Sequence, residues 1–375
     1  MSMSTARSGT AALARRRQRP VVCFSGNFLP VWATAGSMVL GVVFTGLRLA
    51  SNLVLVFEAQ RVFGGVVKPT GQKKLREADR RVLKAVKTEL RDELVNCGGH
   101  GVRTLFAGDP RDPPLVLIHG HSMNSTYWYR NFDDLVNMGY YVIALDMVGW
   151  GLSDRPDFRG TKAEDCVSFY LDPFVAWTKA LGLQKFAIIA HSIGAYLAFE
   201  YAKAYPETVS RLTLITPAAC EKKLALYRGF YFTATPQAVA RRFGLIAYLM
   251  FELKFPREEA YMANNLKELT WHLACRPGAS GDIAIKHLIQ FKRWNQTEVK
   301  RSLIEVMQRL DMPVHVIAAE KDTLIVPMSV EKFYNALKEQ GTDCTFDMAL
   351  ASDHCPFLET PEQFRSIIAK YYATK

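Results

Sequence analysis

The chain has 375 residues, of which 49% are hydrophobic, enough for one large α/β domain with an inserted segment. Its seven cysteines are odd in number and contain no C-x-x-C pair, which argues against a disulfide framework and for a reducing compartment. The formal charge of +11 is uneven and comes without basic–aromatic interleaving or a known module, which disfavours nucleic acid as a partner.

Over half of that excess lies in residues 1–57, which hold six arginines (Arg7, Arg15, Arg16, Arg17, Arg19, Arg48) and no acid. A basic segment, 1–28, leads into a hydrophobic segment, 29–58, expected to associate with a membrane. Within it, Leu29 to Leu47 is uncharged. As a helix it would rise roughly 28 Å, close to the hydrocarbon thickness of a bilayer. Three readings fit: a signal anchor or embedded helix, a mitochondrial presequence followed by a membrane segment, and a cleaved secretory signal. The last fits least, because the apolar run is long and starts late. Mitochondrion, lipid droplet and endoplasmic reticulum all remain open as locations.

From Lys73 to about Leu94 the alternating charges predict a helical linker with a solvated face. Cys97-Gly98-Gly99-His100-Gly101 predicts a turn into strand, around Val102 to Ala107. Short apolar strands then alternate with helices, at 115–118, 141–145, 186–190, 212–215, 315–318 and 345–348. That alternation predicts an α/β fold with a mostly parallel sheet covered on both faces. The core is expected in two parts, 73–216 and 311–375, separated by a helical cap over 217–310. The cap holds aromatic runs at Tyr227–Phe232 and Ile246–Phe251, with Arg241, Arg242, Lys254 and Arg257 as candidate phosphate contacts.

The chemistry concentrates at strand ends. Phe186 to Ala190 is an apolar strand that runs through His191 into Ser192-Ile193-Gly194, with small residues, Ala190 and Gly194, two before and two after the serine. A sharp strand-to-helix turn needs small residues there, and it lifts the hydroxyl out over a helix N-terminus. Asp322 follows the strand Val314–Ala319, and His354 follows the strand Phe346–Leu350. Serine is a weak nucleophile at neutral pH, so a histidine must take its proton and an acid must hold the imidazole tautomer. Ser192, Asp322 and His354 are therefore the candidate catalytic residues. Asp353 competes as the acid, although its adjacency to His354 makes the geometry awkward. Leu115 to Ile118 leads into His119-Gly120-His121, so the backbone N–H groups of His121 and Ile193 are the candidate oxyanion donors. His119 and His121 lack a carboxylate or cysteine at ligand spacing, so no metal and no cofactor are expected, and His119 reads as a loop brace.

These residues resemble the nucleophile elbow, triad order and oxyanion loop of the α/β-hydrolases. The segment Asp146-Met147-Val148-Gly149-Trp150-Gly151-Leu152-Ser153-Asp154-Arg155-Pro156-Asp157-Phe158 is similar to one branch in particular. That branch contains the lipid-droplet lipase co-activator, the N-acyl-phosphatidylethanolamine lipase, plant lysophospholipid acyltransferase-like relatives and the mitochondrial cardiolipin deacylase. The resemblance covers roughly residues 75 to 372. It implies the α/β-hydrolase fold with an inserted cap, glycerophospholipid acyl chains as substrate class, and a membrane or lipid-droplet surface as partner. Two departures stand out. The branch's acyltransferase signature sets an Asp five residues after the catalytic His, where this chain has Glu359, and the co-activator lacks the serine that this chain keeps. The expected activity is phospholipid or lysophospholipid deacylation through an acyl-enzyme on Ser192. The alternatives are lysophospholipid acyl transfer, a peptidase or general esterase on the same residues, and a non-catalytic lipase co-activator. The sequence leaves the oligomeric state open.

Overall fold

The computed structural model describes residues 71–221, 266–293 and 296–372, together with 223–224, 237–238 and 240–241. The chain divides into two units, Met1–Glu58 and Ala59–Lys375, and every described residue lies in the second. The segments 1–28 and 29–58, both aromatic runs at 227–232 and 246–251, and Arg242, Lys254 and Arg257 fall outside the described residues. Among the described residues, no helix is long and apolar enough to cross a membrane.

Helix α1 (Gln72–Leu83) buries Leu75, Ala78, Asp79 and Val82, positions three and four apart that share one helical face. The helical reading of 73–94 is corrected beyond this point. Leu90–Cys97 is strand β1, paired along its whole length with β2 (His100–Ala107), Leu90 opposite Ala107 and Cys97 opposite His100. Its charged residues face solvent on a sheet edge, where charge prevents further pairing. A hairpin closed by Gly98-Gly99 pairs β1 with β2, and that ladder outweighs the helical preference of Glu89 to Leu94.

The chain continues through β3 (Pro114–Ile118), α2 (Phe132–Asn137), β4 (Tyr141–Leu145), α3 (Ala163–Ala180), β5 (Phe186–His191), α4 (Ile193–Ala204) and β6 (Val209–Ile215). After an insertion come β10 (Val314–Ala319), α8 (Pro327–Glu339), β11 (Cys344–Ala349), α9 (Pro356–Glu359) and α10 (Pro361–Tyr372). The sheet order is β1-β2-β4-β3-β5-β6-β10-β11, parallel from β4 to β11 and antiparallel only at the β1–β2 and β2–β4 pairings. Alternate residues serve opposite faces. Val116, Ile118, Ile188, Ala190, Leu212 and Leu214 pack with Trp177, Phe199 and Phe333, whereas Leu115, Leu117, Ala187 and Ile189 pack with Trp128, Phe364 and Ile368. Burial on both faces explains why these strands read as unbroken apolar runs rather than alternating ones. Each buried branched side chain contributes about 1.5–3 kcal/mol relative to exposure.

The inserted segment holds α5 (Leu266–Cys275), α6 (Ser280–Leu288) and α7 (Leu303–Val306). The sequence leads one to expect a helical cap here, but the described part of the segment is not wholly helical. Strands β7 (Lys223–Leu224), β8 (Ile289–Arg293) and β9 (Gln296–Val299) form a small antiparallel sheet in the order β7-β9-β8. Ile289 pairs with Val299, both buried, and Gln290 pairs with Glu298, both partly exposed.

Candidate active site

Parallel strands bring all their C-terminal ends to one edge of the sheet, and the loops after β3, β5, β10 and β11 meet there. Ser192 is the single residue between β5 and α4, with φ 54 and ψ −118, a region few non-glycine residues adopt. Its backbone is held on both sides: its N–H donates to Ile215 O (2.9 Å), and its carbonyl accepts from Tyr196 N (3.1 Å) and Ala218 N (3.0 Å). A Cβ at Gly194 would lie 2.4 Å from His119 O and 2.9 Å from Ile118 O, so this turn admits only glycine there.

The structure brings Ser192, His354 and Asp322 into one line. Ser192 Oγ lies 3.0 Å from His354 Nε2, and His354 Nδ1 lies 2.8 Å from Asp322 Oδ2. The other Asp322 oxygen accepts from the N–H groups of Leu324 and Ile325, both at 2.8 Å. An acceptor-only carboxylate fixes Nδ1 as the protonated nitrogen and leaves Nε2 to receive the serine proton. Burial alone would lower the His354 pKa, but the charge and hydrogen bond of Asp322, with Asp353 and Glu359 behind, raise it above the ordinary histidine value. Asp353 faces elsewhere, accepting from Thr323 N (3.0 Å).

Ile193 is the first residue of α4, so its N–H has no intrahelical acceptor. His121 lies in the loop after β3, and Gly120 touches the elbow itself: a Cβ there would lie 3.1 Å from Ser192 Cβ. His119 braces the loop as expected, with Nδ1 2.7 Å from Gly120 O and Nε2 accepting from Met147 N (2.9 Å). Among the described residues no cluster of three or more His, Cys, Asp or Glu fits a metal ion. Arg241 does not present a free guanidinium: it donates to Asp282.

Several residues that the sequence reading missed hold this constellation. His191 Nε2 donates to His354 O (2.9 Å), which also accepts from Thr216 Oγ1 (3.2 Å). Glu359 accepts from Asp353 N (2.5 Å), Ser352 Oγ (3.0 Å) and Cys355 N (3.2 Å), bracing the histidine loop. Under the oxyanion loop lies a buried charge network. Arg103 on β2 donates to Asp79 of α1 (2.6 Å), to Asp92 (2.9 Å), to Ser125 Oγ (2.8 Å) and to Thr126 Oγ1 (3.1 Å). Asp146 accepts from Ser125 N (2.7 Å) and Leu152 N (2.7 Å). Burial pushes the Asp146 carboxyl up, but Arg103, His119 and these donors hold it below its usual value. Asp79 goes the other way, raised by burial and by the charge of Asp146 despite its own pairing with Arg103. An Asp-x-x-Gly-x-Gly-x-Ser segment signals the Asp146 part of this network, whereas Asp79 carries no local signal.

The family model for the alpha/beta hydrolase fold matches residues 113–361, more than half of the chain. A rice (Oryza sativa subsp. japonica) protein named as a probable 1-acylglycerol-3-phosphate O-acyltransferase is 27% identical, covering 80% of this chain and 81% of its own. The human protein named 1-acylglycerol-3-phosphate O-acyltransferase ABHD5 is 29% identical over 65% of this chain and 74% of its own. Among solved structures, a bacterial membrane phospholipase A described as a virulence factor superposes with a TM-score of 0.61 at 21% identity, covering 90% of this chain and 98% of that one. Carboxylesterase CesB of Bacillus subtilis gives 0.61 at 16% identity, over 80% and 98% respectively. The two structural likenesses bear on the fold alone. The chain belongs to the α/β-hydrolase family, in the branch that includes ABHD5.

Proposed function

We propose that this protein is a serine hydrolase that removes an acyl chain from a phospholipid or lysophospholipid. The observation that carries this reading is the unbroken hydrogen-bonded line from Ser192 Oγ through His354 to Asp322, at 3.0 and 2.8 Å. Ser192 attacks the ester carbonyl as His354 Nε2 takes its proton. The N–H groups of His121 and Ile193 hold the oxyanion, each such donor typically worth 10²–10³ in rate. The imidazolium, stabilised by Asp322, returns its proton to the leaving alcohol. Water, deprotonated by His354, then attacks the acyl-enzyme and frees the fatty acid. The branch and its lipid-named relatives support a glycerophospholipid substrate at a membrane or lipid-droplet surface.

A second reading is favoured by the relatives' names: the acyl-enzyme passes its acyl group to 1-acylglycerol-3-phosphate instead of water. Both reactions use the same residues and differ in which hydroxyl reaches the ester. Glu359 does not decide between them, because its carboxylate is engaged with the backbone and Ser352 of the histidine loop. A non-catalytic co-activator role has no need for a hydroxyl aligned on a histidine. The test is incubation of wild type and Ser192→Ala with phosphatidylcholine and phosphatidylglycerol vesicles, with and without lysophosphatidic acid. Fatty-acid release by wild type alone supports hydrolysis, and phosphatidic acid formed at its expense supports transfer. Equal product from both proteins would reject an acyl-enzyme on Ser192.

A further inference from the structure

The loop after β3 carries one of the two proposed oxyanion donors, yet it is not held by the sheet alone. Ser122, just past His121, has φ 67, a conformation that a non-glycine residue keeps only when its surroundings impose it. The contacts around it come from the loop itself and from the insertion. His121 Nδ1 is 2.8 Å from Ser122 Oγ, and Gln237 donates to that same hydroxyl. His121 Nε2 lies 3.3 Å from Asp282 Oδ1 of α6, and the other Asp282 oxygen takes Arg241. Both His121 Nε2 and Asp282 Oδ1 are buried and neither makes a hydrogen bond of good geometry among the described residues, so this pairing is what each has. The imidazole is wedged edge-on against Trp150, ring centroids 4.8 Å apart.

Asp282 is itself fixed. The start of α6 sits so close to the core that a Cβ at Gly281 would lie 2.4 Å from Trp150 Cε2, and Gly281 O accepts from Tyr170 Oη (2.8 Å). Asp282 is only 3% exposed, and although burial would raise its carboxyl, His121 and Arg241 hold it below the usual range. A buried carboxylate is a costly way to pack a helix unless it sets a position.

We propose that Asp282 is a positioning residue which, with Arg241 behind it, anchors the His121 side chain and so aims the His121 N–H at the developing oxyanion. This inference rests on the acyl-enzyme reading of Ser192. It makes the oxyanion site a joint product of core and insertion: the core supplies Ile193, and the insertion sets His121.

His121→Ala keeps the backbone N–H and removes only its anchor, which makes the idea separable from loss of a donor. Turnover of a short-chain p-nitrophenyl ester and of phospholipid vesicles by His121→Ala, Asp282→Ala and the double variant is the test. Each single change should lower kcat about 10–100-fold with little change in KM, part of the 10²–10³ that one such donor supplies. The double variant should fall no further than the worse single one, because both break the same tether. Affinity for a trifluoromethyl ketone, which places an oxyanion in the site, should fall in parallel, whereas binding of a non-hydrolysable ether lipid should change less than about twofold. A general structural role would weaken both ligands alike. If Asp282→Ala fails to fold, the isosteric Asp282→Asn carries the same comparison with a smaller loss. Losses that multiply in the double variant, or an unchanged ketone affinity, overturn the proposal. Full turnover by Ser192→Ala would instead remove the underlying reading, so the two failures are distinguishable.

Discussion

The two halves of the site are held by different means. Ser192, Asp322 and His354 stand at the ends of parallel strands, and their positions follow chiefly from backbone, the elbow between β5 and α4 and the loops after β10 and β11, with His191, Thr216 and Glu359 bracing the last of these. The oxyanion loop is held by side chains from four separate places, Asp79 of α1, Arg103 of β2, Asp146 after β4 and Asp282 of the insertion. A strand end moves only if the sheet moves, whereas a loop tethered by buried polar groups depends on each partner staying paired. The proton-transfer line is therefore expected to tolerate changes around it, and the oxyanion loop to be the part that distant mutations reach.

The largest effect should come from the strand-borne half. Asp322→Asn leaves the shape intact but favours the wrong imidazole tautomer, and should cost about 10⁴-fold in kcat by steady-state ester hydrolysis. The same variant tests the pH behaviour. His354 acts as base only when neutral, and its pKa is raised, chiefly by Asp322 working against burial. The acid limb of kcat/KM should therefore lie above the ordinary imidazole value of about 6.5, with activity gained as pH rises. In Asp322→Asn the residual activity should show that limb moved to lower pH. A limb that stays in place would mean another group controls it.

The loop half is probed by stability. Asp146→Asn removes a buried charge that lies 3.5 Å from Arg103 and accepts from Ser125 N and Leu152 N, and should cost about 3–5 kcal/mol in urea unfolding. Asp79→Asn should cost clearly less, about 1–2 kcal/mol, because the Asp79 carboxyl is already pushed toward its neutral form. Equal losses would contradict this division of charge. The smallest effect is expected at Glu359, where glutamine keeps one acceptor for the histidine loop; a loss of about 1 kcal/mol in the same assay is the expected outcome.

The same division explains what was legible in the sequence. Ser192, Asp322 and His354 each follow a short apolar run, so a linear reading singles them out as candidates, and they lie within hydrogen-bonding distance of one another. The parallel core was equally readable, since strands buried on both faces are continuous apolar runs at 115–118, 186–190 and 314–319. Asp79, Arg103 and Asp282 were invisible because a buried charge and a solvated one are the same letter, and only long-range packing separates them. Residues 84–94 read as helix for a different reason: their alternating charges mask a strand, although the Gly98-Gly99 turn is the local signal for the hairpin that pairs Leu90 with Ala107. Arg241 looks like a free phosphate contact in the sequence because its partner Asp282 lies 41 residues away.

Labelling with a fluorophosphonate probe, mapped by mass spectrometry of the intact protein and its peptides, tests the central claim most directly. The account requires a single adduct on Ser192 in wild type, formed far more slowly in His354→Ala. A folded wild-type protein that stays unlabelled, or an adduct on another residue, would contradict it.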